Sequence, residues 1–425
     1  MVGAYVMQDN IGLKPFSKDF NLMVIGQMVS ILGSALLRFA LALYVLDITG
    51  RADLFATLFA ISSLPFLLSP LGGAIADRFN RRNLMVLFDF ISSLIVFCFF
   101  LVLSVGNDSV FIIGVVMTLL AMISAMYAPA VMASIPQLVP EDRLEQANGI
   151  VNGIQALSNV AAPVLGGVLY GLLGLEMLVV ISCIFFFLSA IVEMFMKIPF
   201  VKREQHGHIV PTIFNDLKIG FTFVVKDSFI LKCMMLAALL NLILTPLFVV
   251  GAPIILRVTM DSSDMMYGIG MGLIDFATIL GALCMGFFAK KMNVQTMYLW
   301  VLVVALLLVP MALSITPIVL GVGYFSSFTL FILSALLIAM DVTIISIFVI
   351  TIVQKKTPNE NLGKVMAIIM AISQCMVPIG QVIYGVVFET FSMHIYLPIL
   401  FIGLLMVLMA VVTNRLWKNA DGKDS

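Results

Sequence analysis

Charge is what this sequence has least of. Only 11% of its 425 residues are Asp, Glu, Lys or Arg, whereas a soluble domain carries roughly 25%. Hydrophobic residues make up 62% of the chain, and the mean hydropathy is +1.16. This composition is typical of a polytopic membrane protein, for which the bilayer is the solvent.

Paired cysteines, histidine clusters and nucleotide motifs are also missing. The five cysteines lie singly inside apolar runs without a C-x-x-C, and they are Cys98, Cys183, Cys233, Cys284 and Cys375. We expect them to be small buried hydrophobes. There are three histidines, and no G-x-x-x-x-G-K-[ST] occurs, which excludes ATP hydrolysis by a P-loop. The sequence predicts no cofactor, no metal and no catalytic residue.

Long apolar runs fill the chain instead. A membrane-spanning helix needs roughly 20 mostly apolar residues. Twelve candidates follow, at 20–48, 51–76, 83–105, 109–137, 143–173, 175–197, 229–256, 264–289, 294–315, 319–354, 361–389 and 392–416. The first run is too long for a cleaved signal peptide and is expected to remain as a helix.

The basic residues alternate in position along these spans. Twenty of the 23 Lys and Arg residues fall at ends or loops that share a side with the N-terminus. Arg51 and Arg257 fall on the other side, and Arg38 lies within the first span. By the positive-inside rule, both termini of a multi-pass protein of the plasma membrane are predicted to be cytoplasmic.

The longest polar stretch, 198–228, separates six spans from six. We therefore predict an N-terminal six-helix bundle at 1–197, a cytoplasmic linker at 198–228 and a C-terminal six-helix bundle at 229–425. An apolar stripe recurs in the linker at helical spacing, at Phe214, Leu217, Phe221 and Val224. It predicts an amphipathic helix on the inner leaflet.

A short basic loop joins the second and third spans. It contains Gly73, Asp77, Arg78, Arg81 and Arg82. The loop resembles the G-x-x-x-D-R-x-G-R-[RK] motif of the major facilitator superfamily, with Asn80 in place of a glycine and expected to tolerate a left-handed turn.

The resemblance implies an all-α fold of 12 transmembrane helices in two six-helix bundles. In such proteins the loop latches the two halves in the outward-open state, and Asp89 is a plausible partner for one of its arginines. Anchoring by the positive-inside effect alone is the alternative.

A second motif lies in the fifth span. Ala162, Pro163, Gly166 and Gly167 resemble the G-P-x-x-G-G signature of antiporters in that superfamily, with alanine for the first glycine. The resemblance favours export. Gly149 and Gly153 form a G-x-x-x-G, and close helix packing alone explains such patterns.

Charges inside the spans are costly, at roughly 2.5–3.5 kcal/mol each on insertion scales. Asp341 lies at the centre of span 10, Asp275 at the centre of span 8, and Arg38 in span 1. Because spans 1, 4, 7 and 10 line the cavity in the superfamily, Asp341 and Arg38 are expected to face it. These three residues are the proton-coupling candidates, since 109–137 lacks the arginine of many proton antiporters. A static Arg38–carboxylate pair is the alternative.

Uncharged polar side chains inside the spans are candidates for contact with a substrate. They are Gln27, Ser34, Tyr127, Asn241 and Gln374. Hydrogen bonding between helices is the alternative for each. The 29 Met and 33 Phe residues supply an apolar surface that can re-pack around varied ligands.

Within the superfamily the chain resembles the bacterial macrolide-efflux and siderophore-export branch. The resemblance rests on short segments, namely Gly26-Gln27, 76–78, 128–130, 138–140, 362–365 and 378–380. It implies a proton-coupled exporter of hydrophobic or amphiphilic compounds. The expected partners are that substrate, protons or another cation, and the lipid bilayer, with no nucleic acid and a functional monomer. Nutrient uptake, lysolipid flipping and, more remotely, a receptor or membrane enzyme remain alternatives.

Overall fold

A computed structural model describes residues 16–68, 72, 75–76, 79–106, 109–140, 143–198, 209–288 and 292–418. Side chains are described for these residues except 145, 209–217, 286, 359, 360, 363, 416 and 418. Within those ranges every regular element is a helix. The all-α prediction is therefore confirmed.

The first half of the chain forms six long helices. Their bounds are α1 Lys18–Thr49, α2 Ala52–Ser63 with a 3-10 extension over Leu64–Leu68, α3 Arg81–Ser104, α4 Val110–Leu138, α5 at 144–173 and α6 at 175–194. Ser17 begins α1 by accepting a hydrogen bond from the Phe20 amide. Gly50, with φ 59°, ends it in a left-handed conformation that glycine adopts without strain.

The second half repeats this arrangement after a linker helix, Ile209–Lys226. Its helices are α7 Ser228–Pro246, continued by mixed π- and α-helical turns to Thr259, α8 Asp264–Phe288, α9 Met297–Ser314, α10 Tyr324–Lys356, α11 Asn359–Thr390 and α12 Tyr396–Lys418. A short helix, Pro317–Val322, precedes α10.

One residue separates α5 from α6. Gln146–Met194 is a continuous apolar stretch of 49 residues, which as one helix would be about 74 Å long at 1.5 Å per residue. That is more than twice the roughly 30 Å hydrocarbon core. Gly174 breaks the helix with φ 74° and ψ 179°, a conformation open almost only to glycine. The segment is therefore two spans.

Counted in this way, the described residues contain twelve spans. Ten helices are long and apolar enough to cross a membrane, and Ala52–Leu68 is a shorter apolar helix. The division at Gly174 adds the twelfth. Two six-helix bundles, as predicted, account for the sequence.

The helices pack mainly within their own half. In the first half, α1 and α3 lie against the α5–α6 segment, and in the second half α7 packs on α11, α8 on α10, and α9 on α10 and α12. Among the described residues, the most extensive contacts between the halves are those of α5 with α8 and of α2 with α11. We call the end where α1 begins the inner face and the end where it finishes the outer face.

The linker helix packs on the start of α11. A Cβ on Gly220 would lie 2.5 Å from the Lys364 carbonyl oxygen, so the two backbones touch there. In the predicted apolar stripe, Val224 is buried and Phe221 is exposed. The side chains of Phe214 and Leu217 lie outside the described residues, and the position of this helix on the membrane stays a prediction.

Candidate functional site

A cavity of about 890 Å³ lies between the two halves. Its walls come from both bundles, namely α1, α2, α4, α5, α7, α8, α10 and α11. Most lining side chains are apolar, including Phe55, Phe59, Phe248, Met271 and Met370. A space of this size is typical of a site for a drug-sized molecule.

Two opposite charges face each other across this cavity. Arg38 of α1 lines one half and is exposed to the space, and Asp275 of α8 lines the other half and is half-buried. They are close enough for their charges to attract. No described hydrogen bond or ion pair within 4.0 Å joins them, so the cavity holds an arginine and a carboxylate that ligands can reach.

Asp341 lies elsewhere. It is buried, only 5% exposed, and it is not among the residues that line the cavity. The cavity face of α10 is formed by Ser346, Val349, Ile350 and Val353. Asp341 precedes Ser346 by five residues, which places it about 140° around the helix. The expectation that Asp341 faces the cavity is wrong for this conformation. Both its carboxylate oxygens are buried without a hydrogen-bond partner in the described part of the chain.

The predicted polar contacts divide into two groups. Ser34, Asn241 and Gln374 line the cavity, whereas Gln27 and Tyr127 do not and are buried within the N-terminal bundle. Two further polar residues, Asn159 and Gln381, also line the cavity.

The motif of α5 lies where the halves meet. Ala162 and Pro163 line the cavity. A Cβ on Gly166 would lie 2.6 Å from the Phe39 ring, and one on Gly167 would lie 2.3 Å from the carbonyl oxygen of Asp264 at the start of α8. The two bundles thus touch backbone to backbone at this motif.

Other glycines of α5 and α8 differ in how closely a neighbouring helix approaches them. Gly268 of α8 faces α5 equally closely, because its Cβ would lie 2.3 Å from the Pro163 carbonyl oxygen. Gly149 and Gly153, nearer the inner face, have nothing within 4 Å of an added Cβ. Close packing therefore does not explain this G-x-x-x-G in the present conformation.

An ion cluster lies beside this junction at the outer face. Arg257, at the end of α7, donates from Nε to Asp47 Oδ1 at 2.8 Å and is paired through Nη2 with Asp264 Oδ1 at 2.8 Å. Asp47 lies in the last turn of α1 and also accepts from the Tyr170 hydroxyl at 3.2 Å. Arg257 further donates to the Ser262 carbonyl at 2.7 Å. We call Asp47, Arg257, Asp264 and Tyr170 the outer ion cluster.

A contact between α2 and α11 closes the outer face on the side of the molecule opposite the outer ion cluster. The Glu389 carboxylate of α11 accepts from the Ala52 amide at the start of α2, at 3.0 Å. A Cβ on Gly385 would lie 2.4 Å from Ala56 Cβ. The cavity is thus closed at the outer face, whereas its lining extends towards the inner face as far as Val353 and Met366.

The loop between α2 and α3 is described only in part. Gly73, Asp77 and Arg78 lie outside the described residues. Arg81 donates to the backbone carbonyls of Ala76 and Ala133, at 3.1 and 2.5 Å, and Arg82 donates to the carbonyl of Met194.

Two expectations for this loop are corrected. Asn80 adopts an extended conformation, φ −63° and ψ 115°, and caps α3 by accepting from the Asn83 amide, so it forms no left-handed turn. Asp89 accepts from the Ser30 hydroxyl at 2.7 Å, and no described hydrogen bond or ion pair joins it to an arginine.

Two six-helix bundles around a central cavity closed at one face define a membrane transporter. The chain belongs to the Major Facilitator Superfamily, whose family model matches residues 23–381. This confirms the resemblance to that superfamily.

Proteins that are similar in sequence are also named as transporters or efflux proteins. The chain is 22% identical over 403 residues to macrolide efflux protein A of Streptococcus pyogenes, covering 91% of this chain and 93% of that one. It is 24% identical over 382 residues to the uncharacterized MFS-type transporter YvqJ of Bacillus subtilis (strain 168), covering 89% and 87%.

Solved structures share the fold at low identity. The nucleoside transporter NupG has a TM-score of 0.71 and 14% identity, with 94% of this chain and 99% of that chain covered. A bacterial homologue of the iron transporter ferroportin, in an inward-facing state, has a TM-score of 0.67 and 18% identity, covering 94% and 98%.

Proposed function

We propose that the protein is a secondary active exporter, which exchanges inward-moving protons for an outward-moving hydrophobic or amphiphilic compound by alternating access. The observation that carries this proposal is the cavity, mostly apolar and about 890 Å³ in volume, closed at the outer face. With cytoplasmic termini, this is an inward-facing state ready to accept a compound from the cell or the inner leaflet.

Proton coupling is assigned first to Asp275 with Arg38. The two residues belong to different bundles and attract each other across the cavity. Burial disfavours the charged carboxylate, and a nearby arginine favours it. Because the bundles move relative to each other in alternating access, Arg38 approaches or leaves Asp275 during the cycle, and Asp275 binds or releases a proton accordingly.

The energy available suffices for uphill export. One charge moving inward gains roughly 2.3 kcal/mol per 100 mV of membrane potential. Since 1.4 kcal/mol is a factor of ten, exchange for one proton raises a neutral substrate about fortyfold against its gradient. No nucleotide is needed for this.

Support for export comes from two further features. The α5 motif, with Ala162, Pro163, Gly166 and Gly167, resembles the antiporter signature and lies at the contact between the bundles. Similar proteins include one named macrolide efflux protein A, so a macrolide-like drug or a siderophore is the first substrate class to test.

The α2–α3 loop, with Gly73, Asp77, Arg78, Arg81 and Arg82, would latch the bundles in the opposite, outward-open state.

The test is efflux from a pump-deficient strain that expresses the full chain. Growth against macrolides, dyes, siderophores and detergents identifies a substrate. Efflux of that substrate is then measured with and without a protonophore for wild type, Asp275→Asn and Asp341→Asn. We expect wild type to show efflux that the protonophore abolishes. We expect Asp275→Asn to lose this coupled efflux.

The comparison variant decides between the carboxylates. If Asp341→Asn loses coupled efflux while Asp275→Asn keeps it, the proton site is Asp341, the second buried candidate. If both variants pump with unchanged sensitivity to the protonophore, neither carboxylate couples transport, and the proposal of proton exchange through this cavity is wrong.

Uptake of a nutrient by a symporter or facilitator is the second candidate, because the fold is shared with proteins such as the nucleoside transporter NupG. A lysolipid flippase of the same fold is a related candidate, which the apolar lining of the cavity favours. Substrate accumulation in expressing cells would indicate uptake. Transport of a lysolipid between leaflets without pH dependence would indicate a flippase.

A further inference from the structure

A second group of acids lies inside the N-terminal bundle and takes no part in the cavity. Asp89 of α3 and Glu193 of α6 are 2% and 0% exposed. Their carboxylates are close enough for mutual electrostatic repulsion. Neither residue lines the central cavity, and no motif of the superfamily quoted above includes Glu193.

Each carboxylate is half satisfied by a hydroxyl. The Tyr127 hydroxyl of α4 donates to Glu193 Oε1 at 2.6 Å, and the Ser30 hydroxyl of α1 donates to Asp89 Oδ1 at 2.7 Å. The second oxygen of each, Glu193 Oε2 and Asp89 Oδ2, is buried without a hydrogen-bond partner among the described residues.

Donors that could complete the pair are used elsewhere. Ser189 lies beside Asp89, but its hydroxyl donates to the Gly26 carbonyl at 2.8 Å. Arg82 donates to the carbonyl of Met194, one residue after Glu193, and it is not among the charges that act on either carboxylate. The described groups that act on the pair are the hydroxyls of Ser30, Tyr127 and Ser189, and no basic side chain is among them.

The pair is held tightly by its surroundings. A Cβ on Gly26 would lie 2.8 Å from Glu193 Cγ, so the glycine lets α6 and its carboxylate approach α1. Two adjacent carboxylates that are both ionised and lack a cation would be very unfavourable at such burial. The two carboxylates therefore require a positive ion or a proton that the described contacts do not supply.

We propose that Asp89 and Glu193 form a proton-binding site inside the N-terminal bundle, separate from the central cavity and holding at least one proton on the carboxylate pair. A protonated carboxyl group becomes a donor, which supplies what the unpartnered oxygens lack. A calcium ion takes six to eight oxygen ligands. The two carboxylates and two hydroxyls supply six only if all four carboxylate oxygens bind the ion, whereas Glu193 Oε1 and Asp89 Oδ1 already accept hydrogen bonds from those hydroxyls. A proton needs only a second acceptor.

The site is distinct from the proposed coupling residues, so it can be tested without transport. Full-length protein is purified into lipid nanodiscs, and infrared spectroscopy measures the carbonyl-stretch band of protonated carboxylic acids at neutral pH. We expect Asp89→Asn with Glu193→Gln to lose band intensity equivalent to at least one carboxylic acid per molecule. Glu389→Gln, at the outer face, is the matched control and is expected to lose none.

A milder variant covers the case in which the double variant fails to fold. Tyr127→Phe removes the donor to Glu193 and keeps both acids, so the band is expected to shift in frequency and to keep its intensity. An unchanged spectrum in Tyr127→Phe and in the double variant would overturn the proposal.

A metal ion is the competing occupant. Thermal unfolding of wild type is compared with and without a chelator, and with added calcium or sodium. We expect the same unfolding midpoint in each. A midpoint that rises with one of these cations in wild type, and not in the double variant, would identify a metal site and overturn the proton assignment.

Discussion

The outer ion cluster joins the two bundles, so its removal should shift the balance between transport states. In Arg257→Gln, the charged hydrogen bonds to Asp47 at 2.8 and 3.2 Å and the pairing with Asp264 at 2.8 Å are lost. The side chain of Arg257 is 20% exposed, and those of Asp47 and Asp264 are each 27% exposed. Solvent therefore screens these charges only in part.

The size of the shift follows from these contacts. A hydrogen bond to a charged group contributes about 1.5–3 kcal/mol, and partial exposure lowers this. A loss of about 2 kcal/mol that applies only while the outer face is closed changes the ratio of closed to open molecules about thirtyfold. If α1 and α7 separate when the outer face opens, the loss that acts on this ratio is that of the Asp47 bonds, because the Asp264 pairing lies within the C-terminal bundle.

The assay is a distance distribution between spin labels at the outer face. Val105 and Ile318 are 85% and 82% exposed, one in each half, and they can carry the labels once the native cysteines are replaced. We expect a larger population of long distances in Arg257→Gln. Arg51→Gln is the comparison variant, because Arg51 pairs at 2.6 Å with Asp53 of its own bundle and only its weaker attraction to Glu389 crosses between the bundles, so a smaller change is expected. Identical distributions in wild type and Arg257→Gln would refute the role assigned to the cluster.

Two further outcomes can be measured with the same labels. Gly167→Leu should open the outer face, since even a Cβ there would lie 2.3 Å from the Asp264 carbonyl oxygen, whereas Gly149→Leu, where a Cβ meets nothing within 4 Å, should leave the distances unchanged. Tyr170→Phe removes one 3.2 Å hydrogen bond to Asp47. Because this bond lies within the N-terminal bundle, the free-energy difference between closed and open states should change by about 1 kcal/mol or less, clearly less than in Arg257→Gln. An effect of Gly149→Leu equal to that of Gly167→Leu would contradict the geometry of the junction.

The spans were predictable because length and hydropathy together determine them. The break between α5 and α6 was placed between 173 and 175, and Gly174 is where the helix ends. The α7 span was expected at 229–256, and the helical stretch runs over Ser228–Thr259. A hydrocarbon layer about 30 Å thick leaves few other ways to divide the chain.

The direction in which each side chain faces was less predictable. Lipid tails and the bundle interior are similarly apolar, so hydropathy does not show how a helix is rotated about its axis. Arg38 and Asp275 do line the cavity, but Asp341 does not. Glu193 was overlooked because it lies near the end of a span, where a charge is expected to reach water.

The pairing of Asp47 with Arg257 was likewise invisible in the sequence. Both residues lie at span ends, where charged side chains are common, and 210 positions separate them. Arg257 was marked only as one of two basic residues on the predicted outer side. Only the packing of the two bundles brings these two ends together.

The contact between Gly167 and Gly268 has a consequence for the conditions under which the molecule works. Dissolved salt weakens attraction between partly exposed charges, with a screening length of about 8 Å at physiological ionic strength. Backbone atoms that touch through glycines carry no charge to screen. At high salt this steric contact would therefore persist on the face predicted to meet the exterior, even where the charges of the outer ion cluster beside it are screened.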